Sequence, residues 1–185
     1  YLNFERQLSP AEKGTMRELV KRRGQREPLQ HIVGTTSFCG LDIAVNRQVL
    51  IPRSETELLA EEGWKFLPTL EAQPPTAFDF GTGSGCLAIA LATKCPSAEI
   101  FAVDNSADAL EVAKQNAAQH NVSGRIRFFQ ADGFAAIPQK IQFDLIISNP
   151  PYIPTAEIEM LQAEVRDFDP RGALDGGADG LGFYR

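Results

Sequence analysis

Long apolar runs are missing from this 185-residue chain, and no stretch approaches the roughly 20 consecutive apolar residues that a membrane span requires. Cysteine is scarce. Cys39, Cys86 and Cys95 are odd in number and far apart, with no C-x-x-C pair and no nearby histidine, so neither a disulfide framework nor a metal site is expected. Free thiols in a reducing compartment fit that pattern. The opening Tyr1-Leu2-Asn3-Phe4-Glu5-Arg6 lacks the charged-then-apolar layout of a secretory leader. A cytoplasmic protein with no membrane partner is the expectation. Basic residues lack a majority too: 18 Lys and Arg stand against 24 Asp and Glu. Residues 1–30 carry a balance of +3 and residues 31–185 one of −9, which leaves the main part without a broad phosphate-binding face. The run Lys21-Arg22-Arg23-Gly24-Gln25-Arg26 has the charge to meet nucleic acid or an acidic partner, and reads better as a solvated helix end, where cations face the terminal carbonyls.

What is present is a strongly punctuated α/β pattern. Ser9-Pro10-Ala11-Glu12 is a capping box with proline at the first helical position, and Met16, Leu19 and Val20 follow at helical spacing, which predicts a helix over 9–23. Thr35 to Leu50 is rich in β-formers around Gly40-Leu41-Asp42 and predicts a hairpin. Ser54-Glu55-Thr56-Glu57 reads as a second capping box, opening a helix with Leu58, Leu59, Trp64 and Leu67 on its buried side and stopping before Pro68. Gln73-Pro74-Pro75 reads as a loop. From there the chain alternates strand 76–80, helix 84–93, strand 99–103, helix 106–120, strand 125–130 and strand 143–148, which predicts a parallel sheet in the order 3-2-1-4 with helices on both faces. The division expected is 1–30 as the end of a helical domain, 31–53 as a hairpin connector, and 54–185 as the main domain, with its last strands lacking.

Asp79-Phe80-Gly81-Thr82-Gly83-Ser84-Gly85 lies between a strand and a helix, where glycines permit a tight turn and let a ligand approach bare backbone amides. Asp104 follows Gly81 by 23 residues at the end of the next strand, where a carboxylate can accept both hydroxyls of an adenosine ribose. The G-x-G-x-G spacing, with an acid just before it, suits a cofactor carrying an ammonium and a sulfonium better than one carrying a pyrophosphate. Those features point to S-adenosylmethionine, with S-adenosylhomocysteine as product. Asp132, in Gln130-Ala131-Asp132-Gly133, is placed to accept from the adenine amino group.

A buried strand then runs into Asn149-Pro150-Pro151-Tyr152 at the carboxyl edge of the sheet. An amide nitrogen is a poor nucleophile because its lone pair is delocalised, so methylation needs both N–H groups held by acceptors and the lone pair aimed at the methyl. The Asn149 side-chain oxygen and the Pro150 carbonyl can be those acceptors. Pro150 and Pro151 stiffen the backbone between them, and Tyr152 can lie against a planar target group.

The sequence here resembles the HemK/PrmC protein-(glutamine-N(5)) methyltransferases. The likeness runs from Glu27-Pro28-Leu29-Gln30-His31-Ile32 through Leu50-Ile51-Pro52-Arg53 and the Gly81–Gly85 turn to Asn149-Pro150-Pro151-Tyr152-Ile153 and Glu164-Val165-Arg166-Asp167. It implies a class I, Rossmann-like S-adenosylmethionine-dependent methyltransferase fold acting on the Gly-Gly-Gln glutamine of peptide chain release factors. It also implies that Gly81, Thr82, Gly83, Ser84, Gly85, Asp104, Asp132, Gly133 and Asn149 hold the cofactor, and that Asn149, Pro150, Pro151 and Tyr152 hold the glutamine. Ser54 stands where the family usually has proline, and Gly133 where many members have a larger side chain. The competing targets are an adenine amino group in DNA or RNA and a ribosomal-protein glutamine. The −9 balance gives no basis for nucleic-acid recognition or base flipping, and Glu55-Thr56-Glu57 favours the release-factor branch. A nucleotide-binding module without chemistry is opposed by the intact Asn-Pro-Pro-Tyr.

Overall fold

The computed structural model describes residues 6–71, 74–135, 137 and 141–185, so Gln73 and the chain's first five residues lie outside it. Among the described residues no helix is long and apolar enough to cross a membrane. The first helix, α1 (Pro10–Gly24), starts on Ser9 with the full capping box: the Ser9 hydroxyl accepts from Glu12 N–H while the Glu12 carboxylate accepts from Ser9 N–H. Its sequence-read apolar face is not covered. No residue of α1 is buried, with Met16 51% and Val20 62% exposed. The basic run at its end is spent internally: Arg22 pairs with Glu27, and Arg23 and Arg26 both pair with Glu164.

A short helix α2 (Leu29–Val33) leads into the hairpin β1 (Thr35–Phe38) and β2 (Leu41–Ala44). The turn is Cys39-Gly40, one residue before the place expected, because Phe38 pairs directly with Leu41. Both turn residues have positive φ, 52° and 77°, as a two-residue hairpin turn demands. Cys39 accepts that conformation because its N–H is caught by the Glu57 carboxylate at 2.7 Å. That bond also corrects the second capping box. Helix α3 (Ser54–Phe66) has Arg53 rather than Ser54 at its N-cap, no side-chain cap bond forms among the described residues, and Glu57 is drawn away to the hairpin. The buried side of α3 runs through Thr56, Ala60 and Gly63 to Leu67, and Leu58 is 66% exposed. Gly63 allows the close approach: a Cβ there would stand 2.9 Å from Leu91 and 3.3 Å from Ile147.

The main sheet is parallel in the order β5-β4-β3-β6, made of β3 (Thr76–Phe80), β4 (Glu99–Asp104), β5 (Ile126–Gln130) and β6 (Leu145–Ser148). Numbered from β3, this is the expected 3-2-1-4. Helix α4 (Cys86–Lys94) is buried from Cys86 to Ala92 on all sides, as a central helix with no polar stripe must be. It packs with α3 and α5 (Ala107–Gln119) over the sheet residues Ala77, Ile100, Ala102, Ile126 and Ile147. Among the described residues the helices lie on this face alone, not on both. The opposite face carries Phe78, Phe101 and Val103, with Phe129 and Phe143 against them. Between β5 and β6 the described residues form no helix, and they supply Phe134, which stacks on Phe78 at 4.9 Å between ring centres.

Candidate active site

The strand register decides what meets at the carboxyl edge. Phe80, the last residue of β3, pairs with Val103 on one side and Ser148 on the other, so the turn after β3 sits between Asp104 and Asn149. The Ser148 hydroxyl donates to the Phe80 carbonyl at 2.7 Å and ties the ends of β3 and β6 together. Two cavities open there. The first, of about 250 Å³, is lined by Gly81, Gly83, Asp104, Asp132 and Asn149, with Phe80 and Phe183 among its walls. The second, of about 220 Å³, is lined by Arg53, Asn149, Pro150, Tyr152 and neighbours. Only Leu50, Asn149 and Ala173 line both.

The glycine turn is held from below and from the side. Gly81 and Thr82 both donate backbone N–H groups to the Val103 carbonyl at 2.9 Å. Gly83 N–H donates to Asp104 Oδ2, and Ser106 N–H to Asp104 Oδ1, each at 2.9 Å. A carboxylate has about four lone-pair sites, so Asp104 keeps capacity for two further donors in the cavity it lines. Gly81, Gly83 and Gly85 all have positive φ, 73°, 54° and 82°.

Other residues expected at the ligand lie outside the wall of the first cavity. Thr82, Ser84 and Gly85 do not line the cavity: the Thr82 hydroxyl donates to Asp79 Oδ2 at 2.6 Å, and the Ser84 carbonyl accepts from Asn116 at 2.9 Å. A Cβ on Gly85 would press to 3.1 Å on Ala113 and Ile89, so that glycine serves helix packing. Asp79, read from the sequence as a partner for the cofactor's ammonium, is wholly buried and turned toward Thr82 and the Ala88 N–H at the start of α4. Burial pushes its carboxyl up to about 7, against the pull of those two donors. Among the described residues its Oδ1 has no hydrogen-bond partner. Asp132 is exposed at the cavity wall, while Gly133 is not part of that wall.

Around the second cavity, Pro150 is buried, and Tyr152 is 62% exposed. Sequence reasoning missed what holds this loop. Gly176 and Gly180 lie against the Tyr152 backbone, where a Cβ would come within 2.8 Å and 2.3 Å of it, and Gly180 also has φ 77°. Ile153 N–H donates to the Leu174 carbonyl at 3.0 Å, and the Ile153 carbonyl accepts from Gly176 N–H at 2.8 Å. The glycine-rich Asp175–Gly180 stretch thus works as a backbone clamp on Asn-Pro-Pro-Tyr. On the other side Arg53 forms an ion pair with Asp169, whose side chain is 1% exposed. Burial raises the Asp169 carboxyl and the Arg53 guanidinium lowers it. Asn149 Nδ2 donates to the Thr56 hydroxyl at 3.0 Å. Asn116, wholly buried, takes Ala44 N–H at 2.8 Å and gives its amide hydrogens to the Ala44 and Ser84 carbonyls, locking the hairpin to the glycine turn. None of these partners is marked by periodicity. Only the Ile51–Glu57 segment had a sequence signal, through the family resemblance.

Comparison with known proteins agrees with this fold. The profile of the methyltransferase small domain matches residues 62–167, and that of the PrmC N-terminal domain matches residues 1–34. The chain is 49% identical to the release factor glutamine methyltransferase of Geobacter sulfurreducens, covering all of this chain and 63% of that protein. It is 47% identical to that of Chlorobaculum tepidum, covering 94% and 61%. It therefore spans less than two thirds of the length of these relatives. Among solved structures, the human Mettl16 catalytic domain in complex with MAT2A 3'UTR hairpin 6 aligns with TM-score 0.58 at 19% identity, over 78% of this chain and 54% of that one. The S-adenosylmethionine-dependent methyltransferase from Agrobacterium tumefaciens aligns with TM-score 0.52 at 20% identity, over 63% and 39%. At such identity the likeness shows the fold, which is the Rossmann-like class I methyltransferase fold.

Proposed function

This chain belongs to the methyltransferase small domain family, in its HemK/PrmC branch, and from that premise we propose that it carries methyl transfer from S-adenosylmethionine to the Gly-Gly-Gln glutamine of a peptide chain release factor. The acceptor is the side-chain amide nitrogen of that glutamine. The observation that carries the reading is the position of Asn149 in the walls of two adjoining cavities, one beside Asp104 and the glycine turn, the other beside Pro150 and Tyr152. A group transfer between two bound molecules needs such a shared wall.

S-adenosylmethionine, when bound, supplies a methyl group on a positively charged sulfur. Asp104 would hold the ribose hydroxyls with its free lone pairs, the bare backbone of Gly81 and Gly83 would let the cofactor approach closely, and Asp132 would accept from the adenine amino group. Phe80 and Phe183, whose ring centres are 4.4 Å apart, give this cavity apolar walls. On the acceptor side, Asn149 Oδ1 and the Pro150 carbonyl would take the two N–H groups of the glutamine amide, which aims its lone pair instead of leaving it to the carbonyl. Tyr152, largely exposed at the mouth of the second cavity, is free to cover the amide and exclude water. A substrate that takes part in translation puts the reaction in the cytoplasm.

The test is single-turnover methylation by the full-length protein of a bacterial release factor, of a copy with its Gly-Gly-Gln glutamine changed to alanine, and of duplex DNA. Label is expected on the first alone. Equal labelling of both release factors, or labelling of the DNA, overturns the assignment.

A further inference from the structure

We infer that Thr56 is a positioning residue that anchors the Asn149 amide beside the acceptor with its nitrogen turned to α3, an inference that rests on the glutamine-methylation reading. An asparagine side chain is two-faced: its oxygen accepts and its nitrogen donates. The target nitrogen also carries two N–H groups, so Asn149 helps only with Oδ1 toward it; turned over, it sets donor against donor. Asn149 Nδ2 donates to the Thr56 hydroxyl at 3.0 Å. A hydroxyl accepts or donates, so this bond anchors the amide in the orientation seen, and the two N–H groups of the acceptor complete the choice of Oδ1.

Thr56 is suited to this task by where it is fixed. It is 6% exposed and lines neither cavity, so it acts through Asn149 and not on the substrate. Its backbone N–H donates to the Arg53 carbonyl at 3.0 Å, which sets the first turn of α3. Arg53 is in turn pinned to the buried Asp169, and Glu57, one residue on, is pinned to Cys39 N–H at 2.7 Å. The hydroxyl therefore sits on a turn anchored at both ends, a rigid reference for a side chain that otherwise turns over easily about its last bond. The physical link between the Ile51–Glu57 segment and Asn-Pro-Pro-Tyr is this bond, while the Arg53–Asp169 pair ties the same segment to the chain further on.

The experiment compares wild type, Thr56→Val, which keeps the shape and removes the hydroxyl, and Thr56→Ser, which keeps the hydroxyl. In release-factor methylation by the full-length protein, Thr56→Val is expected to lower kcat about tenfold, the effect of one neutral hydrogen bond lost. KM for both substrates and thermal stability should stay close to wild type, and Thr56→Ser should restore kcat. In an Asn149→Ala background, Thr56→Val should cost nothing further. A second readout needs no substrate: by NMR the Asn149 side-chain NH₂ should exchange slowly in wild type and Thr56→Ser and fast in Thr56→Val. Wild-type kcat in Thr56→Val, or a loss that appears in KM and stability and is not rescued by serine, overturns the inference. If wild type leaves the release factor unmethylated while the NMR difference is present, the substrate assignment fails and the hold of Thr56 on Asn149 stands.

Discussion

Two loops leave the same edge of the same sheet, and they are held in opposite ways. The turn after β3 is secured from nearby: Thr82 bonds Asp79 three residues back, and Gly83 bonds Asp104 on the adjacent strand, 21 residues on. The loop after β6 is secured from afar. Asn149 bonds Thr56 across 93 residues, Arg53 pairs with Asp169 across 116, and the backbone of Tyr152 is clamped by Gly176 and Gly180. A cofactor-binding turn held mostly by its own strands rests on glycines and well-spaced acids, with Asn116 of α5 adding a more distant support. A loop that must orient a protein's amide is assembled only when distant segments come together, so its precision depends on the complete fold.

That contrast sets what substitutions do on each side. The largest effect is expected at Asn149, which with Leu50 and Ala173 lines both cavities and has the polar side chain among the three. Asn149→Ala should lower single-turnover methylation by roughly 10²–10³-fold, the usual loss for one preorganised polar contact to a transition state. Cofactor affinity should fall less than turnover, because the first cavity keeps Asp104 and the glycine turn. Stopped-time assays beside calorimetry would check this, and a full single-turnover rate in Asn149→Ala would break the division of labour between the two loops.

A smaller, purely local effect is expected at Asp104. Asp104→Ala should weaken S-adenosylmethionine binding by roughly 2–3 kcal/mol, from lost charge-assisted bonds to the ribose. Part of that loss passes through the turn itself, since Gly83 and Ser106 also give up their acceptor. Titration calorimetry with the alanine variant measures it. An affinity equal to wild type removes the ribose assignment, and a loss of release-factor binding as large as that of cofactor binding would mean the two loops are not separable.

The same contrast explains what could be read in the sequence. Strand order, both crossover helices and the residues Gly81, Gly83, Asp104 and Asn149 were legible because their supports lie within one or two elements, where spacing is a reliable guide. Thr56, Asn116, Asp169 and Gly180 were not, because nothing in a linear pattern says that a helix's first turn will meet a strand end 93 residues later. Asp79 was misplaced for a related reason. It alternates correctly along β3, but strand periodicity gives the face and not the partner, and α4 packs over that face with the Ala88 N–H aimed at the carboxylate. Helices were expected on both faces of the sheet, whereas among the described residues they cover one, since alternation of strands and helices does not say which side each crossover covers.

The smallest effect concerns the first turn of α3, where sequence and structure give different accounts of one serine. Ser9 and Ser54 both open a Ser-x-x-Glu pattern followed by apolar residues. At Ser9 the reciprocal bonds form, so Ser9→Ala should cost about 1 kcal/mol, the ordinary value of a lost N-cap. At Ser54 they do not. The helix is capped one residue earlier by Arg53, the Ser54 hydroxyl donates only to its exposed neighbour Glu55 at 3.2 Å, and Glu57 is held by the hairpin. Ser54→Ala should therefore change stability by less than about 0.5 kcal/mol, as for a surface site with no structural partner. It should also leave kcat at the wild-type value, since the turn that carries Thr56 is anchored by Arg53 and Glu57 instead. Urea unfolding of the two serine variants side by side decides the matter. A loss of 1 kcal/mol or more at Ser54 would mean that Glu57 reaches back to the helix in solution. The hairpin anchor would then be lost, and the substrate loop would be supported more locally, like its neighbour.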